Sequence, residues 1–559
     1  MGTVVRGSPR EMAFMRFTMN HSLHAQARVR GIGAALLALV CLMGWTSAAV
    51  AGDFVDTRIS FIFSDDNLLS GPGESLVNSP EMDFGPRSGL FFPFENLNSQ
   101  DNTDVTLTHL VVYKEMPGFI DNLTTDAALV ARLEVLDSPQ TNFRSGDIRL
   151  SDGGSYLRAR YAIGEPAPYD DEKGLTGTAK RQLDITFFPM NSDRFRAGYT
   201  YDLSWGGNRV FTDRKSAFAT PGVRLRFDWD GFYALIGAKS TRQLILEKDP
   251  TATANRELGA FWGGIAGLGY VHDYFAVESN GGLFDAGRNP KQGVQGETVT
   301  AGGVSGRISA FSQGFSPEAS IDYRLYRNNA DAFVESNFFL RKPKNFDSFT
   351  WRASVEGNWL MQTLGDFDKP LATRRVDAFA GAVRADFFIE KLAVNLDFVM
   401  RDIYFILFNV PSLDPFLSLP RDSEYTPELM AAIKVEYWLD SINLIPGVLF
   451  GVQKPATYRG RVAEVPNASE FSGGKQTVVI PEAGTVIPFP NDREPKEVYS
   501  GRASLRWDLS DMLSFIGQMT YTYDRNQLGR EKDEVNYTAR YYFRKPHILG
   551  LAFFAQARF

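Results

Sequence analysis

Apolar and polar residues alternate one by one in segment after segment of this chain. In 223–229, Val223, Leu225, Phe227 and Trp229 oppose Arg224, Arg226 and Asp228. In 195–205, Phe195, Ala197, Tyr199, Tyr201, Leu203 and Trp205 oppose Arg196, Gly198, Thr200, Asp202 and Ser204. In 351–359, Trp351, Ala353, Val355, Gly357 and Trp359 oppose Arg352, Ser354, Glu356 and Asn358, and in 502–509 Ala503, Leu505, Trp507 and Leu509 oppose Arg502, Ser504, Arg506 and Asp508. Successive side chains of a strand point to opposite faces, so a period of two predicts strands with one apolar and one polar face. The same pattern recurs near 55–63, 104–113, 127–136, 156–163, 181–188, 233–246, 258–270, 275–284, 299–309, 319–326, 376–387, 392–406, 428–438, 444–452 and 513–523, and again in the last eleven residues. The set amounts to roughly 18–20 strands of the nine to eleven residues with which a tilted strand crosses a bilayer.

The connections fall into two classes. Tight ones include 228–232, 271–275, 388–392 and 509–513; long ones, rich in Gly, Pro, Asn and Asp, include 65–102, 206–220, 407–426 and 453–496. Short turns on one side and long loops on the other are the pattern of outer-membrane barrels. Aromatics cap many segments, among them Trp205, Trp229, Trp351, Trp359, Trp438, Trp507, Tyr521 and Tyr523, as expected of girdles at the two membrane interfaces. A soluble sandwich of this length would need far fewer Arg and Asp residues on the second face of nearly every strand. The expected fold is therefore all-β: a single-chain antiparallel transmembrane β-barrel of about 18 strands (range 16–20), with short periplasmic turns and long extracellular loops. Strand parity between about 115 and 195, and between about 328 and 373, is open. Alternation begins at Phe54, which leaves no room for a separate plug domain, and no shared motif of repeat length points to a propeller or solenoid.

The amino-terminal region departs from this pattern. Residues 31–45 form one apolar run of 15, preceded by Arg28 and Arg30 and followed by Ala49, Val50 and Ala51. A basic region, a short apolar core and a small-x-small site predict an export signal over 1–51; a membrane anchor would need about 20 apolar residues. The barrel then occupies 52–559, and the expected location is the outer membrane. The single cysteine, Cys41, lies inside the signal, so disulfides and thiolate metal sites are not expected. Removing five of the 59 basic and one of the 66 acidic residues leaves 54 against 65, a net charge of −11. That balance argues against nucleic acid as a partner. His109, His272 and His547 are the histidines beyond the signal. None sits in a nucleophile motif, so neither catalysis nor a cofactor is expected.

The terminal strand, with Phe559, Ala557, Ala555, Phe553 and Leu551 apolar at every second place, resembles the carboxy-terminal signature of Gram-negative outer-membrane β-barrels. The resemblance implies recognition by the barrel-assembly machinery and a setting of outer-membrane lipid and lipopolysaccharide. Residues 155–161 (SYLRARY) followed by 195–207 (FRAGYTYDLSWGG) look like the alginate-export channels, whose arginine-bearing strands line an anion-conducting lumen. The chain also looks like outer-membrane proteins of the myxobacterial type.

Candidate chemistry lies on the polar face. Alternation turns Arg158, Arg160, Arg196, Arg224, Arg226, Arg324, Arg352, Arg384, Arg502 and Arg506 inward, together with Asp184, Asp202, Asp228, Asp322, Glu356, Asp386 and Asp508. Two readings follow. The arginines form rings that select anions, since guanidinium suits carboxylate and phosphate, or they pair with inward acids on neighbouring strands and brace the wall. Arg158 and Arg160 have no acid within their own strand and are the better ligand candidates on that ground. Two loops, 89–97 and 410–420, are unusually apolar and suit an inward constriction, packing within the loop, or a partner chain. The leading functional expectation is a porin-like channel for passive passage of hydrophilic, anionic solutes. The alternatives are a secretion channel for an anionic polysaccharide and a non-conducting barrel serving as adhesin or receptor.

Overall fold

A computed structural model of the chain describes residues 55–65, 68–69, 106–136, 149–152, 155–166, 169–170, 174–175, 179–190, 192, 219–245, 257–289, 293–312, 346–407, 417–459, 476–480, 485–488, 494–510, 512–526, 528–532 and 539–558. All lie in the unit Val55–Phe559. No helix among them is long and apolar enough to cross a membrane.

One antiparallel sheet of nineteen strands dominates. Its wall strands are β1 (Val55–Asp65), β2 (Thr106–Pro117), β3 (Leu123–Leu136), β4 (Tyr156–Ala162), β5 (Arg181–Phe188) and β6 (Gly222–Trp229). Next come β7 (Phe232–Ile245), β8 (Glu257–Val271), β9 (Phe275–Arg288), β10 (Thr298–Phe311), β11 (Phe346–Gly365) and β12 (Thr373–Glu390). The last are β13 (Leu392–Arg401), β14 (Glu428–Tyr437), β15 (Leu444–Lys454), β16 (Val498–Asp508), β17 (Leu513–Tyr523) and β18 (His547–Arg558). Each pairs with the next, and β18 pairs back onto β1 from Arg58↔Arg558 to Asp65↔Leu551, which closes the ring. The nineteenth strand, Arg149–Asp152, continues along β3 beyond the stretch that β4 occupies. The ring therefore has eighteen positions, the number expected from the pattern. Closure removes the open edges that an eighteen-strand sheet would otherwise expose.

β1 starts and β18 ends at the same rim, the near rim. The tight turns 230–231, 272–274, 391 and 509–512 all fall there, and the expected long loops all fall on the far rim. At the turn between β6 and β7, Asp230 (φ 48°) and Gly231 (φ 93°) both adopt the left-handed region. This is the two-residue turn whose twist matches that of paired strands. Two near-rim connections break the rule by their length, 163–180 and 312–345. β5 pairs directly with β6, and β10 with β11. The alternating segments 195–205 and 319–326 lie outside the described residues.

The two faces of the wall differ as the alternation requires. Leu225, Phe227, Leu505 and Phe553 point outward and are 39–47% exposed, which in water would be an apolar surface far larger than a soluble monomer carries. The inward face carries most of its charged clusters toward the near rim and an apolar layer toward the far rim, where the Arg401–Glu428 pair is also buried. Phe284, Leu360, Leu364, Val376 and Val399 form the apolar layer together with Ile403, Tyr404, Phe405 and Leu419. The last four belong to the loop after β13. Its short helix α1 (Ile403–Leu407) begins at Asp402, whose carboxylate accepts the Tyr404 amide at 2.9 Å. The sequence pattern extends β13 to 406; the wall strand ends at Arg401. Residues 403–407 are apolar all round, so they lack the polar face a wall strand needs; they form a helix, and its Ile403, Tyr404 and Phe405 pack inward.

Candidate functional site: the inward wall

Charged side chains from β2 to β6 meet on the inner face, because register sets their every-second positions side by side. Arg158 stands opposite Asp126 on β3, and Arg160 opposite Asp184 on β5. The Asp126 carboxylate accepts Arg158 Nε at 2.8 Å and the Tyr156 hydroxyl at 2.9 Å, and lies 3.1 Å from an Arg160 amino group. Glu115 accepts the other bond from Arg160 at 3.0 Å and the Tyr113 hydroxyl at 2.8 Å. Asp184 lies 3.4 Å from Arg224 and 3.7 Å from Arg158. Arg226 meets Asp228 at 2.6 Å and lies over the Tyr233 ring, 4.2 Å from its centroid. Arg158 and Arg160 have no acid in their own strand. The acids come instead from β2, β3 and β5, as far as 45 residues away along the chain.

A second cluster spans β11–β13. Arg352 pairs with Asp386, which also accepts Asn395 and lies 3.4 Å from Arg384; Arg384 lies 3.9 Å from Asp397. On β16, Arg506 meets Asp508 at 2.9 Å, and Arg502 is inward and buried. Arg196, Arg324, Asp202 and Asp322 lie outside the described residues. Sequence reading overlooked Glu278 and Arg307 (4.0 Å apart), Lys434 with Glu436 (3.2 Å), and the buried Arg401–Glu428 pair. All of these sit at inward places of the same alternation, which was signal enough to find them.

The pairs are not symmetric about the wall. The side chain of Arg160 is 12% exposed and that of Arg158 is 10%, while Asp126 is 0% and Glu115 is 3%. Arg384 is 21% exposed against 6% for Asp386 and 8% for Asp397. An aspartate is too short to leave the wall, whereas an arginine stem carries its guanidinium over the carboxylate toward the lumen. Arg224, Arg352 and Arg506 behave differently: they are at least as buried as their acids and serve as braces.

Glycines make room for this network. A Cβ on Gly269 of β8 would lie 2.4 Å from the Tyr233 ring, its register partner, and one on Gly267 would lie 2.3 Å from the Asn280 side chain. The glycine-rich stretch 263–269 is thus a notch in the wall for large inward neighbours.

The inward loop is tied down at the far rim. Gln362 on β11 donates to the Tyr404 carbonyl at 3.2 Å, and the Tyr404 hydroxyl accepts the Leu419 amide at 3.0 Å. Ser418 donates its amide to the Gly365 carbonyl at 2.9 Å. Arg421 binds the Asp366 carboxylate at 2.8 Å. Burial pushes the Asp366 carboxyl up, but the bonds from Arg421 and from the Asp368 backbone outweigh it and hold the group below the ordinary carboxylate range. Of the two apolar loops, 89–97 and 410–416 lie outside the described residues; 417–420 folds into the barrel mouth. Of the terminal signature, Phe553 faces outward and stacks on Phe515 at 5.9 Å, Ala555 and Ala557 share its face, and Phe559 lies outside the described residues.

No protein-family model matches the chain, and no curated protein matches it in sequence. Solved structures similar to it include OpdK of Pseudomonas aeruginosa with vanillate, at 8% identity over 90% of this chain and 98% of that one, with a TM-score of 0.40. OccK2 (OpdF) of the same organism in complex with glucuronate follows at 6% identity over 90% and 97%, TM-score 0.39. OccD3 (OpdP) of the same organism stands at 9% over 91% and 92%, TM-score 0.40. At these scores the likeness carries no argument about cargo, and the barrel is defined by its own strand pairing.

Proposed function

We propose that the chain is an outer-membrane channel for small hydrophilic solutes, with a weak preference for anions. The apolar outward belt and the expected export signal support the location. The observation that carries the preference is the placement of guanidinium groups in front of the carboxylates they pair with. Among the described side chains between β2 and β6, the four arginines Arg158, Arg160, Arg224 and Arg226 stand with the four acids Glu115, Asp126, Asp184 and Asp228, so these eight groups carry no net charge. A passing anion nonetheless meets the cationic ends of Arg158 and Arg160 first, since these two are more exposed than Asp126 and Glu115, with which they pair. The loop packed into the far mouth favours small solutes over a polymer.

Uptake into proteoliposomes tests this reading with neutral, anionic and cationic solutes of equal size. The expected order is anion, neutral, cation, with differences that shrink above about 1 M salt, where the Debye length falls to about 3 Å. Absence of uptake for all three would favour the adhesin or receptor reading.

A further inference from the structure

The outward face of β16–β18 changes chemistry step by step toward the far rim. Toward the near rim, the row Trp507↔Phe515↔Ala555 is apolar, and Ala503↔Met519↔Leu551 is apolar two rows further on. The last row is Tyr499↔Tyr523↔His547. Three neighbouring strands thus set two phenol rings and an imidazole side by side over roughly 10 Å, given a strand spacing near 4.8 Å. Tyr521, one row below, bonds His547 Nδ1 at 2.6 Å. Immediately beyond stand Arg525 and Lys545, both exposed.

This edge is built. Asn526 is fully buried and clasps the Lys496 backbone from both sides, accepting its amide at 2.7 Å and donating to its carbonyl at 2.7 Å. The Asp524 amide donates to the Pro546 carbonyl at 2.7 Å. Three chain segments are thereby stapled together at the rim. Arg525 is held over the Tyr523 ring, 5.5 Å from its centroid, and donates to the Tyr523 hydroxyl at 2.8 Å. Glu497 is the exposed acid nearest in sequence to Tyr499 on this face; the cations Arg525 and Lys545 outnumber it.

From this gradient we infer that the outward far-rim edge of β16–β18 docks a phosphorylated glycolipid of the outer leaflet. Its acyl chains lie along Met519, Leu549 and Leu551, its sugar against Tyr499 and Tyr523, and its phosphate on Arg525 and Lys545. Guanidinium and ammonium suit phosphate through charge-assisted bonds, and aromatic rings with polar edges suit the wet boundary of the bilayer. A free anion would have no use for the apolar rows beneath the cations, and an uncharged lipid none for the cations above them. The inference rests on the outer-membrane placement proposed above.

The test uses the full chain folded in detergent, with native mass spectrometry as the readout. The probes are lipid A carrying its phosphates, the same lipid dephosphorylated, and inorganic phosphate. The folded protein is expected to retain one phosphorylated lipid and to bind the dephosphorylated form about tenfold more weakly, a difference of about 1.4 kcal/mol. Arg525→Gln combined with Lys545→Gln should reduce the phosphorylated lipid to that weaker level while the heat-modifiable folded band persists. Arg181→Gln, in the exposed near-rim pair with Asp230, should leave retention unchanged. Equal retention of the two lipids, an unaltered double variant, or displacement of the lipid by an equal concentration of inorganic phosphate would each overturn the inference. Binding in micelles does not depend on where the protein resides, so retained binding by a protein that fractionates elsewhere would overturn the placement alone.

Discussion

Replacing Asp126 by Asn separates the bracing and the selective roles of the inner wall. Asp126 is wholly buried and receives Arg158, Arg160 and the Tyr156 hydroxyl. Asparagine keeps the volume and one acceptor oxygen, but loses the charge and turns an NH2 group toward guanidinium. Breaking a buried pair by removing one partner costs about 3–5 kcal/mol when the other is left alone. Here neither arginine is left alone, because Arg160 keeps Glu115 at 3.0 Å and Arg158 keeps Asp184 at 3.7 Å. The expected loss is therefore about 2–3 kcal/mol, from weakened charge-assisted bonds. Urea unfolding of the barrel in phospholipid, followed by tryptophan fluorescence, measures it. The same variant leaves one positive charge uncompensated beside the lumen and should raise anion preference. A loss below about 0.5 kcal/mol would be within the range of an ordinary surface change. Together with unchanged selectivity, it would refute the claim that this carboxylate both holds the wall and masks the arginines.

Leu225→Arg puts a charge on the lipid face and should cost about 2–4 kcal/mol if the position lies at the midplane and less toward an interface, whereas the same change in detergent-exposed loops should not; the urea midpoint decides. Gly269→Ala should displace Tyr233 from Glu278, to which its hydroxyl bonds, and cost about 1–3 kcal/mol as overpacking does, visible as a lowered heat-modifiability temperature. The Asp366–Arg421 tie involves a carboxyl whose folded value is depressed, so its contribution is present above the ordinary carboxylate range and lost as pH falls through the folded value. Protection of the Ser418 amide, corrected for intrinsic exchange, should fall only below about pH 4, and Asp366→Asn should lower it at neutral pH.

Much of the fold was legible because a barrel wall obeys a local rule. Each strand must show lipid one face and the lumen the other, so Leu225 and Arg226 betray their directions without knowledge of any partner. The turn classes were legible for a similar reason: Asp230-Gly231 encodes its own backbone geometry. What alternation cannot carry is the identity of a neighbour. Arg160 binds Glu115 across two strand boundaries, and only register decides that. The pattern reads 403–406 as a continuation of the strand because an apolar run has no period; the position of Ile403, Tyr404 and Phe405 inside the mouth depends on the layer of Leu360, Leu364 and Val399 that receives them. The candidate site was legible in residue type but not in exposure. Which arginines reach past their acids depends on the neighbours that cover each one, as the contrast between Arg384 and Arg352 shows.

Single-channel recording in a planar bilayer under a KCl gradient tests the central claim most directly. The account predicts discrete conductance steps and a reversal potential displaced modestly toward the chloride equilibrium value. It also predicts that Arg158→Ala with Arg160→Ala, which uncovers Asp126 and Glu115, moves that potential toward the potassium value. A wild-type channel selective for cations, or a double variant with an unmoved reversal potential, would contradict the placement of guanidinium groups in front of carboxylates as the source of selectivity. A folded barrel that inserts and never conducts would contradict the channel itself.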